Sequence, residues 1–280
     1  MKTFRKTIIL FLLISIPSLK AQEWPFEVAV QGKGSPVLLF PGFSCTGAVW
    51  DDVVASLSQN YECHVFTFAG FGEVPAIETP WLLKIKEGIE NYVEKKELQE
   101  VSIIGHSLGG ALGLWLASST AVPYKNLVVV DALPSTGALM IPNFKSEDMV
   151  YDNPYNQNLL AMGEEDFDRM ATQMATMMTS DPEARVQISE WMKMADRKTY
   201  VYGYTDLLKL DLRETIAEIK VPVTVLAAAK PYGVEMARKI YEEQYKNLSG
   251  YELRIAENSA HFIMYDDLEW LLGQISQQLP

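Results

Sequence analysis

Residues 101–110 read Val-Ser-Ile-Ile-Gly-His-Ser-Leu-Gly-Gly, a short apolar run that enters a G-x-S-x-G turn and continues into a helix. A strand, a tight turn and a helix in this order are typical of a nucleophile elbow, which exposes a serine hydroxyl at the end of the strand. Gly105 and Gly109 suit this turn, because a side chain at either position would collide with the neighbouring strand or helix. We therefore predict that Ser107 is a nucleophile. A purely structural Gly-Ser turn is the weaker interpretation, since both flanks match the elbow.

A serine nucleophile needs a general base, and the chain contains only three histidines. His106 is adjacent to Ser107 and is expected to point elsewhere. His64 begins a predicted strand, whereas parallel sheets present catalytic groups at the carboxyl ends of their strands, so a structural role is expected for His64. His261 lies between a predicted last strand at residues 251–256 and a final helix. This late position favours His261 as the base.

The order of strand, elbow, helix and late histidine resembles that of the α/β-hydrolase superfamily in its serine-nucleophile, capped form. The resemblance spans the chain after its N-terminal segment and implies an α/β fold, a mostly parallel sheet with helices on both faces. Residues 37–43, Val-Leu-Leu-Phe-Pro-Gly-Phe, resemble the family's oxyanion loop, with Pro41 in place of the usual histidine. Because oxyanion donors are backbone groups, the resemblance implies that the N–H groups of Phe43 and Leu108 form the oxyanion hole.

The acid of the predicted triad departs from the family's common pattern. Residues 221–226 resemble the penultimate strand, after which an aspartate commonly follows, but residues 227–232 contain no carboxylate. Some family members instead use the end of the strand after the nucleophile helix, and there residues 127–130 lead directly into Asp131. We predict that Asp131 orients the base. The reserve candidate is Glu235, which lies inside a helix predicted at residues 234–248. The structural alternative is that Asp131 caps the next turn.

A long segment after Asp131 interrupts the alternation of strands and helices. We predict a helical cap at residues 132–204, inserted into a core domain of residues 22–131 and 205–280, because insertions at the carboxyl ends of strands build the pockets of such sheets. Nine of the chain's twelve methionines fall in this segment: Met140, Met149, Met162, Met170, Met174, Met177, Met178, Met192 and Met194. A methionine-lined pocket for an apolar acyl chain and plain packing between cap helices fit this pattern equally well.

The N-terminal segment has the form of a secretory signal peptide, predicted at residues 1–21. Three basic residues precede an apolar run at residues 8–16, and Ala21 marks the expected cleavage site. The run is shorter than the roughly twenty apolar residues that span a membrane, so a retained anchor is the weaker interpretation. We therefore expect an exported protein, periplasmic or secreted, without a stable membrane anchor.

The charge balance is acidic. The formal net charge is −12, and cleavage after Ala21 would remove four basic residues and leave −16. Such a chain is not expected to bind nucleic acid or anionic membranes. The two cysteines, Cys45 and Cys63, are expected to remain unpaired, because they lie at opposite ends of neighbouring predicted strands.

Together these features predict a serine hydrolase that cleaves a carboxylic ester, or a related acyl compound, through Ser107, His261, Asp131 and an acyl-enzyme intermediate. The expected partner is a small-molecule acyl substrate with an apolar portion. The residues imply neither a metal nor an organic cofactor. An acyltransferase and a non-catalytic ligand-binding protein of the same fold are the alternatives, since one fold hosts many functions.

Overall fold

The computed structural model describes residues 24–119 and 124–279. The predicted signal peptide at residues 1–21 lies outside the described residues. In the part that is described, none of the helices combines the length and the apolar composition that a membrane span requires.

Seven strands of the described chain form one sheet. They are β1 (Phe26–Gln31), β2 (Ser35–Phe40), β3 (Tyr61–Phe68), β4 (Val101–His106), β5 (Tyr124–Val130), β6 (Val223–Ala228) and β7 (Glu252–Ala256). Their spatial order is β1-β3-β2-β4-β5-β6-β7. β1 runs antiparallel to β3, and every other neighbouring pair is parallel. The predicted mostly parallel sheet is therefore confirmed.

The α-helices of the described chain cover both faces of this sheet. They are α1 (Asp51–Leu57), α2 (Trp81–Lys95), α3 (Leu108–Ala117), α4 (Thr136–Met140), α5 (Pro154–Ala161), α6 (Glu164–Met178), α7 (Pro182–Met194), α8 (Arg197–Lys209), α9 (Val234–Gln244), α10 (Ile263–Asp266) and α11 (Leu268–Ser276). α1 packs against α11, α2 packs against α3, and α9 packs against β6 and β7. The predicted α/β architecture is confirmed.

The central strands are buried because their residues are almost all apolar. Every residue of β4 and of β6 is buried, as expected for parallel strands between two layers of helices. The carboxyl ends of these parallel strands lie along one edge of the sheet. Ser107 follows β4, Asp131 follows β5, and His261 lies in the loop after β7. The topology therefore places three chemically active side chains at the same edge.

Five helices, α4 to α8, lie between β5 and β6, where the sequence predicts the cap. α6 packs against α7, and α4 and α5 pack against α8. α8 also packs against α2, which lies beside the sheet. α8 continues to Lys209, so the predicted boundary at residue 204 falls inside a helix. The division into a core and a cap stays a prediction.

Prediction and structure differ mainly at the ends of elements. The helix that begins at Val234 is predicted to reach Leu248, but α9 ends at Gln244. Tyr245 and Leu248 are nevertheless buried. The apolar pattern that suggests a longer helix therefore comes from the turn after α9, which packs its own apolar side chains into the core.

Candidate active site

The turn at Ser107 has the geometry of a nucleophile elbow. Ser107 has φ 52° and ψ −118°, a region that residues with side chains rarely adopt. A Cβ atom on Gly105 would lie 2.2 Å from the Gly109 carbonyl oxygen, and one on Gly109 would lie 2.4 Å from the carbonyl oxygen of Phe40. Both positions therefore require glycine, for the steric reason that the sequence suggested.

The backbone amides of Phe43 and Leu108 have no hydrogen-bond acceptor among the described residues. Leu108 begins α3, and amides in the first turn of a helix have no acceptor within the helix. Within residues 24–119 and 124–279, neither the Leu108 N–H nor the Phe43 N–H donates a hydrogen bond to the protein. Phe43 lines the same cavity as Ser107. These are the two amides that the resemblance assigned to an oxyanion hole.

The structure brings His261 and Asp131 together. Nδ1 of His261 lies 2.6 Å from Oδ2 of Asp131. Oδ1 of Asp131 accepts hydrogen bonds from the backbone N–H of Ala228, at 2.7 Å, and from the hydroxyl of Tyr241, at 2.8 Å. The Asp131 side chain is only 13% exposed. A carboxylate this enclosed is stable only with hydrogen-bond donors around it, and both of its oxygens have them.

This arrangement separates the two candidate acids. Glu235 is exposed on α9, and in the described chain the carboxylate at His261 belongs to Asp131. The capping alternative for Asp131 does not describe its contacts either, since its carboxylate accepts from His261, Ala228 and Tyr241. Asp131 is the acid that faces the imidazole.

Ser107 and His261 line one cavity but are not hydrogen-bonded to each other. Both residues belong to its wall, and within the described residues the side-chain partner of the imidazole is Asp131. Hydrogen bonds between a nucleophile and its base are often long in the absence of a ligand and shorten when one binds. The structure therefore brings the base to the acid and places the serine on the same wall.

The cavity beside these residues has a volume of about 760 Å³. Aromatic rings contribute to its wall: Phe43 contacts Tyr200 and Tyr204, with ring centroids 5.6 and 5.4 Å away. Seven of the nine methionines of residues 132–204 line it, namely Met140, Met149, Met170, Met174, Met177, Met178 and Met192. Four of the seven also contribute to the core: Met192 belongs to it, and Met170, Met174 and Met178 pack against it. The methionine pattern thus serves both packing and the cavity wall.

A family model described as the alpha/beta hydrolase family matches residues 37–273. The chain belongs to the α/β-hydrolase family. The resemblance that the elbow and the late histidine indicated is confirmed, and with it the prediction of a hydrolase.

Curated relatives of this hydrolase include esterases. A pimeloyl-(acyl-carrier protein) methyl ester esterase from Vibrio cholerae is 24% identical over 200 residues, which cover 69% of this chain and 75% of the relative. A protein of the same name from Aliivibrio fischeri is also 24% identical over 200 residues and covers 69% of this chain and 74% of the relative.

Solved structures share the fold of this hydrolase at low sequence identity. A hydrolase from Pseudomonas aeruginosa superposes with a TM-score of 0.76 at 17% identity, covering 90% of this chain and 93% of that one. For an esterase from Exiguobacterium antarcticum the TM-score is 0.75 at 17% identity, with 90% and 94% covered. For an enol-lactonase from Burkholderia xenovorans it is 0.74 at 15% identity, with 90% and 95% covered. At such identities the likeness establishes the fold alone.

His106 has a role at the site that the sequence did not indicate. Its imidazole is fully buried, and Nε2 donates to the carbonyl oxygen of His261 at 2.9 Å. Burial lowers the pKa of His106 well below its ordinary value, and the proximity of His261 acts in the same direction. A neutral His106 therefore holds the backbone of His261. No periodicity links two positions so far apart in the chain, so this contact could not be predicted.

Tyr241 is the second residue that sequence reasoning missed. It lies on α9, and its hydroxyl donates to Oδ1 of Asp131. In the sequence it is the one aromatic residue of an amphipathic helix, which is the ordinary pattern of a core residue. Only the packing of α9 against β6 and β7 shows that this hydroxyl reaches a carboxylate.

Three other side chains with reactive groups, His64, Cys45 and Cys63, do not line the cavity. His64 Nδ1 is 2.7 Å from the Tyr92 hydroxyl and Nε2 is 2.9 Å from the Glu62 carboxylate, in the structural position that its strand predicted. Cys45 and Cys63 are buried and unpaired, as predicted. Burial raises the pKa of the Cys45 thiol, which keeps it protonated and therefore a poor nucleophile.

Proposed function

We propose that this hydrolase cleaves a carboxylic ester, or a related acyl compound, with Ser107 as nucleophile, His261 as general base and Asp131 as the orienting acid. The observation that carries the proposal is the 2.6 Å contact between His261 Nδ1 and Asp131 Oδ2 on the wall of the cavity that Ser107 also lines. A charge-assisted hydrogen bond of this kind fixes the tautomer of the imidazole and leaves Nε2 to accept a proton.

The proposed reaction begins when Ser107 Oγ attacks the carbonyl carbon of the ester while His261 Nε2 accepts the hydroxyl proton. The N–H groups of Phe43 and Leu108 stabilise the oxyanion of the tetrahedral intermediate. The N-terminal end of α3 favours the same negative charge. Asp131 stabilises the imidazolium until it gives its proton to the departing alcohol.

In the second half of the reaction, water replaces the alcohol. It attacks the acyl group on Ser107 while His261 Nε2 takes one of its protons, and the same two amides bind the second oxyanion. Collapse of this intermediate releases the carboxylic acid and returns the proton to Ser107 Oγ. The protein is then restored for another cycle.

We propose a small-molecule ester with an apolar portion as the substrate class. The seven methionines and the aromatic rings of the cavity wall support this choice, because methionine is flexible and polarisable and adapts to apolar chains of different shape. A volume of about 760 Å³ is within the range of sites that enclose a whole small ligand. The Vibrio cholerae relative is named for a methyl ester, so an ester of a small alcohol is the first substrate to try.

We also propose that the protein is exported. Support comes from the N-terminal segment alone, in which three basic residues precede an apolar run at residues 8–16 and Ala21 provides a small residue for cleavage. N-terminal sequencing of the protein recovered from outside the cytoplasm would locate the cleavage site.

The nucleophile is tested with a fluorophosphonate probe, which reacts covalently with activated serines. We expect the wild type to be labelled and Ser107→Ala to lose both labelling and hydrolysis of esters of graded acyl length, by several orders of magnitude in kcat. Ser118→Ala is the matched control, because Ser118 directly follows α3 and its hydroxyl donates to the Trp115 carbonyl oxygen. Both variants should retain the wild-type unfolding temperature.

A folded wild type that is neither labelled nor active on any ester would contradict the proposal and favour a non-catalytic ligand-binding protein. Labelling without hydrolysis, together with acyl transfer to an added alcohol, would instead favour an acyltransferase. Labelling that persists in Ser107→Ala would assign the nucleophile to another residue.

A further inference from the structure

The acid of this site, Asp131, directly follows β5, and its oxygen that faces away from His261 accepts two hydrogen bonds. Oδ2 of Asp131 faces His261, whereas Oδ1 faces the end of β6 and α9. The Ala228 N–H supplies one donor to Oδ1 and the Tyr241 hydroxyl supplies another. The carboxylate is therefore prevented from turning about its own axis, because each oxygen has a donor on its own side.

Packing holds the Tyr241 ring rigidly in place. Tyr241 is buried, and its ring stacks on that of Tyr245, with centroids 6.1 Å apart and planes 9° from parallel. The Tyr245 hydroxyl reaches a different acceptor, the carbonyl oxygen of Ala132, at 2.7 Å. Tyr241 lies in the last turn of α9 and Tyr245 directly follows the helix. Their hydroxyls donate to adjacent residues, one to the Asp131 carboxylate and the other to the Ala132 carbonyl.

The Tyr241 hydroxyl remains a donor over the usable pH range. Burial raises the pKa of Tyr241 well above its ordinary value, and the neighbouring Asp131 carboxylate raises it further. A phenol that keeps its proton presents the positive end of its O–H dipole to Oδ1. It therefore withdraws part of the carboxylate's charge from the imidazole on the other side.

We propose that Tyr241 is a positioning residue of the active site, which fixes the orientation of Asp131 toward His261 and moderates the charge that His261 experiences. This inference rests on the proposed role of Ser107, His261 and Asp131 in ester hydrolysis. Tyr241 takes no chemical step in the reaction. It acts through its hydrogen bond to Asp131.

The test compares Tyr241→Phe with Tyr245→Phe, since each change removes one buried hydroxyl and keeps the ring. In Tyr241→Phe we expect kcat for ester hydrolysis to fall by about ten-fold while KM stays within about two-fold, because the hydroxyl acts on the orientation of the base and not on substrate binding. The acid limb of the kcat/KM profile should move to higher pH, because the carboxylate then attracts the imidazolium more strongly. Tyr245→Phe should leave kcat and the acid limb as in the wild type.

A second measurement does not depend on turnover. In one-dimensional proton NMR, the proton between His261 Nδ1 and Asp131 should resonate far downfield in the wild type and change position in Tyr241→Phe, but not in Tyr245→Phe. Asp131→Asn assigns the signal by removing it. Both tyrosine variants are expected to unfold in a single cooperative transition.

The outcomes are separable. Equal kcat and equal acid limbs in Tyr241→Phe and the wild type would overturn the inference, as would the same changes in both tyrosine variants. If the wild type hydrolyses no ester, the proposed function fails. The NMR signal still shows whether Tyr241 influences the hydrogen bond between His261 and Asp131. An unchanged downfield signal in Tyr241→Phe would then overturn the positioning role by itself.

Discussion

At the residue scale, Ser107 and Asp131 share an uncommon backbone conformation, with φ values of 52° and 47°. Each follows a buried strand, and in each the backbone amide bonds to the last part of the neighbouring strand. The Ser107 N–H donates to the Val130 carbonyl at 2.9 Å, and the Asp131 N–H donates to the Leu226 carbonyl at 2.8 Å. The sheet ladder thus continues through both residues and holds a conformation that would otherwise be costly.

The first prediction at this scale concerns Asp131. In Asp131→Asn the side chain keeps its size, but the amide no longer holds the imidazole in the tautomer that leaves Nε2 free, so we expect kcat for ester hydrolysis to fall by about 10⁴-fold with the fold intact. Steady-state kinetics with circular dichroism measures both. Asp211→Asn is the control, since Asp211 pairs with Arg213 away from the cavity. Unchanged turnover in Asp131→Asn would remove Asp131 from the triad.

At the scale of elements, the elbow depends on the close approach of α3 to β2. A Cβ atom on Gly109 would meet the carbonyl oxygen, carbonyl carbon and Cβ of Phe40 at 2.4 to 2.7 Å. Backbone atoms of a central strand cannot move aside without disturbing the sheet. α11 offers the opposite case, because nothing lies within 4 Å of a Cβ atom on Gly273.

Alanine substitutions at these two glycines should change the free energy of unfolding in opposite directions. Gly109→Ala should lower the free energy of unfolding by about 3 kcal/mol, because the added methyl group overlaps fixed backbone. Gly273→Ala should raise it by about 0.5–1 kcal/mol, because alanine loses less backbone entropy in a helix. Urea unfolding of both variants and the wild type gives the three values. A Gly109→Ala protein as stable as the wild type would show that α3 and β2 are not in this close contact.

At the scale of the whole molecule, buried histidines link stability to pH. His106 is fully buried and His64 nearly so, and burial is the main cause that lowers the pKa of each. Below the ordinary histidine pKa, the unfolded chain binds protons that the folded chain does not. The free energy of unfolding decreases with falling pH wherever the unfolded state binds more protons than the folded state. These two histidines therefore stabilise the fold above the ordinary histidine pKa, and this contribution is lost as the pH drops below it.

We therefore expect the free energy of unfolding to decrease as the pH falls below about 6.5, by up to about 1.4 kcal/mol per pH unit for each such histidine. Urea unfolding between pH 8 and pH 5 measures the slope. His106→Phe should make the slope shallower, because it removes the more deeply buried of the two. A wild-type stability that stays level from pH 7 to pH 5 would show that neither histidine is excluded from protonation.

Much of the architecture could be predicted from the sequence because it depends on local patterns. Apolar runs predicted the buried strands β2 to β6, and the elbow pattern predicted the helix after Ser107. Element ends were less predictable: α9 stops at Gln244, although Tyr245 and Leu248 beyond it are also buried. Helix ends depend on how the next turn packs, and that is not a property of the local pattern.

Local patterns were sufficient to predict the elbow and the succession of strands along the chain, and these place Ser107, Asp131 and His261 at one edge of the sheet. Steric limits on the turn and the handedness of parallel crossovers are enough for that. The side chains that hold these residues are evident only in the folded chain, where Tyr241 contacts Asp131 and His106 contacts the His261 carbonyl. Such contacts join positions more than a hundred residues apart, and they arise from the packing of whole elements, which no local pattern encodes.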